Sequence, residues 1–186
     1  MHPIRWSLLA LTISAFAAPR CPAQEAPTAK PVTEVRFGCH SNATDADLAA
    51  LKVHSELKTL DVLSDKISDA GLEPLRSFPK LEILRLNSST ITDKGLEHVA
   101  AIPALRELVL FRTPVTADGL ALLKKIPGLR KLCLCRIPIT SECVAQLKEL
   151  TKLESLSFEQ LRPESREKAA ELVTLLPPST RITFSR

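Results

Sequence analysis

The chain has 186 residues, of which 45% are hydrophobic and 25% charged, with a net charge of +4. This composition excludes a wholly disordered chain. The 25 basic residues face 21 acidic ones, which excludes the strong basicity typical of nucleic-acid-binding domains, so we expect no nucleic-acid partner. Leucine supplies 31 residues and aromatic residues only seven, so the core must be aliphatic.

The N-terminus has the features of a secretory signal peptide. Arg5 precedes an apolar run from Trp6 to Ala18, and Pro19 ends that run. Its length of about a dozen residues is short of the roughly 20 that a transmembrane helix needs, so we expect no membrane span. The sequence therefore predicts that residues 1–23 are cleaved after Ala23 and that the protein is secreted or lies in the periplasm or cell envelope.

A flexible leader is predicted at residues 24–31, ahead of a pattern that recurs every 24 residues. Each repeat opens with the apolar spacing L-x-x-L-x-L, whose last two positions lie on one face of a strand. The repeats begin at Leu57, Leu81, Leu105, Leu129 and Leu153. Because single units of this kind cannot bury their apolar side alone, we expect them to stack on a shared core.

Short helices are predicted after the strands. A Ser or Thr stands where a helix N-cap is expected, and a proline ends three of the helices. The predicted caps are Ser68, Thr92, Thr116 and Thr140, and the prolines are Pro79, Pro103 and Pro127. Pro74 falls inside the first helix, which predicts a single distorted turn there.

One loop position, the ninth of each repeat, varies between repeats. It holds Asp65, Ser89, Thr113 and Ile137 in turn. We expect the three polar residues to form hydrogen bonds with neighbouring backbone. Ile137 has no polar side-chain atom, so its turn is expected to depend on packing.

The ends of the array are atypical, as terminal repeats are. Residues 32–56 copy the repeat with one extra residue and are interpreted as an N-terminal capping repeat, ahead of the repeats at 57–161. Residues 162–186 are interpreted as a C-terminal cap, with a helix over 163–176 and a strand over 181–184. With both caps present, we expect this to be the whole domain.

The apolar triplet L-x-x-L-x-L and the recurring I-[ST]-D-x-G-L of residues 67–72 and 91–96 resemble the repeats of the leucine-rich-repeat family. In particular, this motif looks like that of the secreted bacterial members and of the repeats that accompany eukaryotic F-box proteins. The resemblance implies an α/β fold, a right-handed solenoid with a parallel sheet on the concave face and short helices on the convex face. It also implies a binding scaffold rather than an enzyme, with no cofactor.

Chemical alternatives find little support in the sequence. His40, His54 and His98 are placed in a loop, at a helix end and on the outer side of a helix, so no catalytic triad is expected. Cys133 and Cys135 share a strand face but are too far apart for a ready disulfide, and Cys39 is on the order of 19 Å away. A soft-metal site there lacks a third ligand, so no metal is predicted. We expect free or externally paired thiols, with Cys143 packed as a small apolar residue.

The candidate binding surface lies on the concave side of the third and fourth repeats. Five basic residues are expected to surround two apolar residues and two thiols, and interface centres favour aromatic residues and arginine. The predicted site is Arg106, Val109, Phe111, Arg112, Arg130, Lys131, Cys133, Cys135 and Arg136. The function predicted is recognition of a protein or peptide. The alternative is a structural, self-associating component of a cell-envelope assembly, in which the sheet edges could pair and give a homodimer.

Overall fold

The structure, a computed structural model, describes residues 31–38 and 43–185. Seven strands form a parallel sheet in chain order. They are β1 (Glu34–Phe37), β2 (Thr59–Leu63), β3 (Ile83–Asn87), β4 (Glu107–Phe111), β5 (Lys131–Cys135), β6 (Ser155–Glu159) and β7 (Arg181–Ser185). The predicted α/β class, with a parallel sheet and helices, is confirmed. The predicted signal peptide and most of the predicted leader lie outside the described residues.

Helical segments connect the strands and pack side by side in chain order. They are α1 (Asp45–Ala50), α2 (Asp93–Ala100), α3 (Ala117–Leu122), α4 (Ser141–Leu147), α5 (Pro163–Ala170) and α6 (Leu172–Leu175), with 3-10 helices at Leu51–Val53, Ala70–Ser77 and Leu123–Lys125. The single C-terminal helix expected over 163–176 is thus two helices.

The register of the sheet follows the sequence period. Strands β2 to β6 pair residues 24 apart, which places Leu60, Leu84, Leu108, Leu132 and Leu156 in one row. At the ends the offset grows, since Val35 pairs with Leu60 and Leu156 with Ile182. The leucines of this row are at most 1% exposed and pack with the buried helical residues in one apolar core.

Three of the four predicted helix caps are confirmed. The hydroxyls of Thr92, Thr116 and Thr140 accept hydrogen bonds from backbone N–H groups in the first turns of α2, α3 and α4. The hydroxyl of Ser68 also accepts a backbone N–H, that of Gly71, but the segment there is a 3-10 helix that begins at Ala70 with Asp69 in the N-cap position. Pro74 has no N–H for an α-helical bond, and the segment forms eight residues of 3-10 helix rather than one distorted turn.

A ladder of aspartates, missed by the sequence reasoning, joins successive repeats. Each aspartate accepts the backbone N–H and the hydroxyl of a Ser or Thr 23 residues later. The pairs are Asp45 with Ser68, Asp69 with Thr92 and Asp93 with Thr116. The fourth aspartate is replaced by Ala117, so the ladder ends before α4.

The ladder also explains the glycine of the I-[ST]-D-x-G-L motif. A Cβ at Gly119 would lie 2.1 Å from Asp93 Oδ1, and the same overlap occurs at Gly71 with Asp45. Where Ala117 replaces the aspartate, Cys143 replaces the glycine and is only 1% exposed. The loss of the carboxylate therefore leaves space for the buried thiol.

This coupling predicts a non-additive double-mutant cycle. Gly119→Ala should lower the free energy of unfolding by about 1–3 kcal/mol, because the new methyl displaces the Asp93 carboxylate from its bonds to Thr116. In an Asp93→Ala background the same change should be neutral or stabilising, since alanine favours helix over glycine by about 1 kcal/mol. Urea unfolding of the four proteins measures the coupling, and an equal cost in both backgrounds would contradict it.

The ninth positions are only partly as predicted. Asp65 accepts the backbone N–H and hydroxyl of Ser89, and Ile137 is buried without polar contacts, as expected. The prediction for Thr113 is wrong, because its buried hydroxyl has no hydrogen-bond partner. Ser89 directs its hydroxyl to Asp65 and Ile137 offers no polar side-chain atom, so neither neighbouring turn can satisfy it.

Candidate functional site

The strand residues that alternate with the core leucines form what we term the outer face of the sheet. Strands β2 to β6 contribute three rows to it. The first row is Thr59, Ile83, Glu107, Lys131 and Ser155; the second is Asp61, Arg85, Val109, Cys133 and Ser157; the third is Leu63, Asn87, Phe111, Cys135 and Glu159. Most of these side chains are half-buried, so the face is partly covered by its own residues.

Charges on the early strands neutralise one another. Arg85 lies 3.2 Å from both Asp61 and Glu107, and Arg36 of β1 lies 3.4 Å from Asp61. Lys131 extends the chain of ion pairs to β5, at 3.9 Å from Glu107, but remains 61% exposed. These pairs leave little free charge on β2 and β3, so a charged partner would find unpaired groups further along the sheet.

A pocket of about 340 Å³ opens on the outer face between β4 and β6. Val109 and Cys133 form its apolar part, with Ser157 beside them, and Glu107 and Lys131 contribute charged groups. We call it the Cys133 pocket. Its mixture of apolar and charged groups suits an amphipathic side chain of a partner.

Burial raises the pKa of Cys133 to about 12, and the nearby Glu159 carboxylate, which also forms a hydrogen bond with the thiol, adds to the rise. The same two causes raise the pKa of Cys135. Neutral thiols are poor nucleophiles and poor metal ligands, so the pair is chemically quiet at neutral pH.

The raised pKa predicts slow alkylation. At about pH 8, iodoacetamide should modify Cys133 at least roughly a hundredfold more slowly in the folded protein than in concentrated urea, because little thiolate forms. Fragmentation mass spectrometry of the tryptic peptide that holds both thiols separates the two sites. Equal rates in the two conditions would contradict the burial of Cys133.

Stability should depend on the same proton. Since folding raises the thiol pKa from 9.0 to about 12, the folded state holds the proton more tightly. The contribution of Cys133 is therefore fully present below pH 9 and is lost as the pH rises towards 12. Cys133→Ala should reduce this alkaline loss of stability in urea titrations.

Cys135 is a correction to the predicted site. Its side chain was expected to be accessible beside Cys133, but it is only 1% exposed. In the register of the sheet it lies between Phe111 and Glu159, whose longer side chains cover a small thiol. Cys135 therefore packs beneath the surface and has almost no area that a partner could contact.

Phe111 and Arg136 do come together. The guanidinium of Arg136 lies 5.4 Å from the centre of the half-buried Phe111 ring, a cation–π contact. Arg136 Nε also donates a hydrogen bond to the side-chain oxygen of Gln160. Gln160 lies 24 residues after Arg136, so the repeat period was the signal that could have identified this partner.

Arg112, Arg136 and Gln160 share an unusual backbone conformation. Their φ angles are 57°, 55° and 50°, in the left-handed region that costs a non-glycine residue about 1–2 kcal/mol. The N–H groups of the two arginines donate to the carbonyls of Cys135 and Glu159 on the following strands. Both arginines lie directly after the last residues of their strands, and both are exposed.

The five basic residues of the predicted site are divided between the two ends of β4 and β5. Arg106 and Arg130 precede β4 and β5, at the opposite strand ends from Arg112 and Arg136, about 20 Å away along the strand. Arg130 lies 3.8 Å from Glu154 and donates to the Lys152 carbonyl. The basic residues are thus divided between two edges because Arg106 and Arg130 come before the strands begin.

Other chemical groups add no site. Among the described residues, no group of three or more His, Cys, Asp or Glu side chains could hold a metal ion. Cys39 and His40 lie outside this part of the chain. None of the helices within 31–38 and 43–185 is long and apolar enough to cross a membrane.

Comparison with known proteins gives likenesses among solved structures only. No family model and no curated protein matches the chain. A solved structure described as "Leiomodin-1 Actin-Binding Site 2 (ABS2)" is similar, with 20% sequence identity and a TM-score of 0.44, over 78% of this chain and 81% of that one. A likeness at this level transfers neither activity nor partner.

Proposed function

We propose that this chain is an exported, non-enzymatic leucine-rich-repeat protein that recognises a protein or peptide partner through the outer face of its sheet. The repeated triplet and the 24-residue register support a solenoid of this kind, with the outer face concave and the helices convex. In such an array the core residues fix the scaffold and leave the outer-face residues free to differ from repeat to repeat.

The observation that carries the proposal is the mixed surface on β4 and β5. Phe111 and Val109 provide apolar area, the Cys133 pocket provides a recess, and Lys131 and Arg136 are exposed cations next to them. Half-buried aromatic residues beside arginine are typical of the centres of protein interfaces. On β2 and β3, by contrast, Arg85 is held by the carboxylates of its neighbours.

The size of the face favours a small partner or a peptide. Strands about 4.8 Å apart, each presenting about five residues, give an outer face near 400 Å². This is about half of the 800 Å² that each partner buries in a typical stable complex.

Export remains part of the proposal, on the strength of the apolar run from Trp6 to Ala18. Mass spectrometry of protein recovered from its native host should give an N-terminus at Gln24, or less favourably at Ala18. Intact Met1 on protein recovered from the cytoplasm would contradict export.

The function is tested by capture from the native compartment. Immobilised protein should retain a defined polypeptide that is competed by soluble protein and lost when Phe111 is changed to Ala. The alternative, a self-associating envelope component, is favoured by the outer edges of β1 and β7, which pair with no other described strand. Light scattering that shows concentration-dependent assembly, with no captured polypeptide, would support the alternative and contradict the proposal.

A further inference from the structure

The residues just beyond β4, β5 and β6 form an arginine-rich edge, which we define as Arg112, Arg136 and Arg162. Within the described part of the chain, no carboxylate lies within 4.0 Å of these three guanidinium groups. Arg85 and Arg130, in contrast, each have a carboxylate partner. The C-terminal ends of these strands therefore carry guanidinium groups that have no ion-pair partner among the described residues.

The side chain of Arg136 is held by two neighbouring side chains. Its guanidinium packs against Phe111 and its Nε donates to Gln160, while its two Nη groups have no partner among the described residues. An arginine held in this way loses little side-chain freedom when it binds, and its free Nη groups keep the fork geometry that matches a carboxylate.

A cavity of about 320 Å³ adjoins this guanidinium. Arg136, Gln160 and Arg162 line its polar part, and Ile137 and Pro138 line its apolar part. A volume of this size accommodates a single side chain with a few neighbouring atoms. Two cations beside an apolar wall match a carboxylate carried on an aliphatic stem.

We infer that this cavity binds the carboxylate of a Glu or Asp side chain in an acidic peptide. Arg136 donates N–H bonds to both carboxylate oxygens, and Arg162 provides the second positive charge. A neighbouring apolar residue of the peptide packs on Phe111, which contacts the same guanidinium. The inference rests on the proposed function and specifies the class of partner that the outer face recognises.

The test uses purified protein and a fluorescein-labelled peptide, Gly-Ser-Leu-Glu-Leu-Glu-Ser-Gly, with a second peptide in which Gln replaces each Glu. Fluorescence anisotropy at low salt should show the Glu peptide binding at least about tenfold more tightly. Arg136→Lys keeps the charge but loses the fork, and should weaken binding of the Glu peptide about tenfold. Arg76→Lys, on the 3-10 helix at 70–77 where Arg76 pairs with Glu73, is the matched control and should change nothing.

The substitution Gln160→Leu tests whether the position of the Arg136 side chain matters for binding, because it leaves the charge of Arg136 in place. It removes the side chain that holds Arg136 Nε, and it should weaken the Glu peptide about threefold or more while leaving the weak affinity for the Gln peptide unchanged. Circular dichroism and urea unfolding verify that each variant is folded.

Several results would overturn the inference. Equal affinity for the Glu and Gln peptides would do so, as would an unchanged affinity in Arg136→Lys. Inorganic phosphate that displaces the peptide in equimolar amounts would assign the cavity to a free anion instead. If Phe111→Ala abolishes capture of the natural partner while Arg136→Lys binds it normally, the proposed function stands and this inference fails. If neither substitution changes capture of the natural partner, the proposed function and this inference both fail.

Discussion

Replacing Leu108 by Ala should lower the free energy of unfolding by about 2–5 kcal/mol. Leu108 is fully buried on β4 and lies in register between Leu84 and Leu132, so the substitution opens a cavity shared by three repeats. Neighbouring strands are held in position by the same row of leucines, which limits how far they can move to fill the space. Urea denaturation followed by circular dichroism measures the loss.

The matched control for Leu108 is Lys94→Ala on α2, where the side chain is exposed. It should change the free energy of unfolding by less than about 0.5 kcal/mol. If the two substitutions cost the same, Leu108 does not lie in the core and the register of the sheet is wrong.

Replacing Phe111 by Ala should weaken binding of the partner by about 2 kcal/mol or more, mainly through faster dissociation. The ring is half-buried against Arg136 in the free protein, so its loss removes an ordered apolar contact and also releases the arginine. Arg112→Ala should weaken binding less and reduce its dependence on salt, because it removes an exposed charge.

Calorimetry with the captured partner compares Phe111→Ala with His98→Ala on α2, at the helical side of the protein. The Phe111 variant should retain nearly its full free energy of unfolding, since Phe111 is not part of the buried core. A loss of binding in His98→Ala, with none in Phe111→Ala, would place the interface on the helices.

The fold could be predicted where the sequence repeats local chemistry. The strand positions of Leu84 and Leu86 are evident from their two-residue spacing, and Thr92 and Thr116 cap helices because the residues that they bond lie two positions away. Ser68 also accepts a backbone N–H, but the helix that follows it differs from the others, because Pro74 lies inside it and the segment is a 3-10 helix. The effect of one proline on the type of a whole helical segment cannot be predicted from the cap residue and its nearest neighbours.

Interactions between repeats were harder to predict. Asp93 bonds Thr116 across 23 residues and excludes a side chain at Gly119, yet within its own repeat the aspartate is indistinguishable from an exposed helix-start residue. The signal that could have identified the ladder is its interruption, since Ala117 and Cys143 depart from the motif together.

The candidate site shows the same limit. Phe111 and Arg136 could be placed on adjacent strands from the period alone, but the burial of Cys135 depends on the size of the side chains on both sides of it. Arg130 lies one residue before β5 begins, and its side chain bonds the loop before β6. Side-chain direction at strand ends therefore required the structure.

Site-specific photo-crosslinking tests the central claim most directly. Benzoylphenylalanine introduced at Ser155, at the margin of the Cys133 pocket, should crosslink to the captured partner on illumination. The same group at Glu97, exposed on α2, should not. Crosslinks from Glu97 with none from Ser155 would show that recognition occurs on the helices and would contradict binding through the outer face of the sheet.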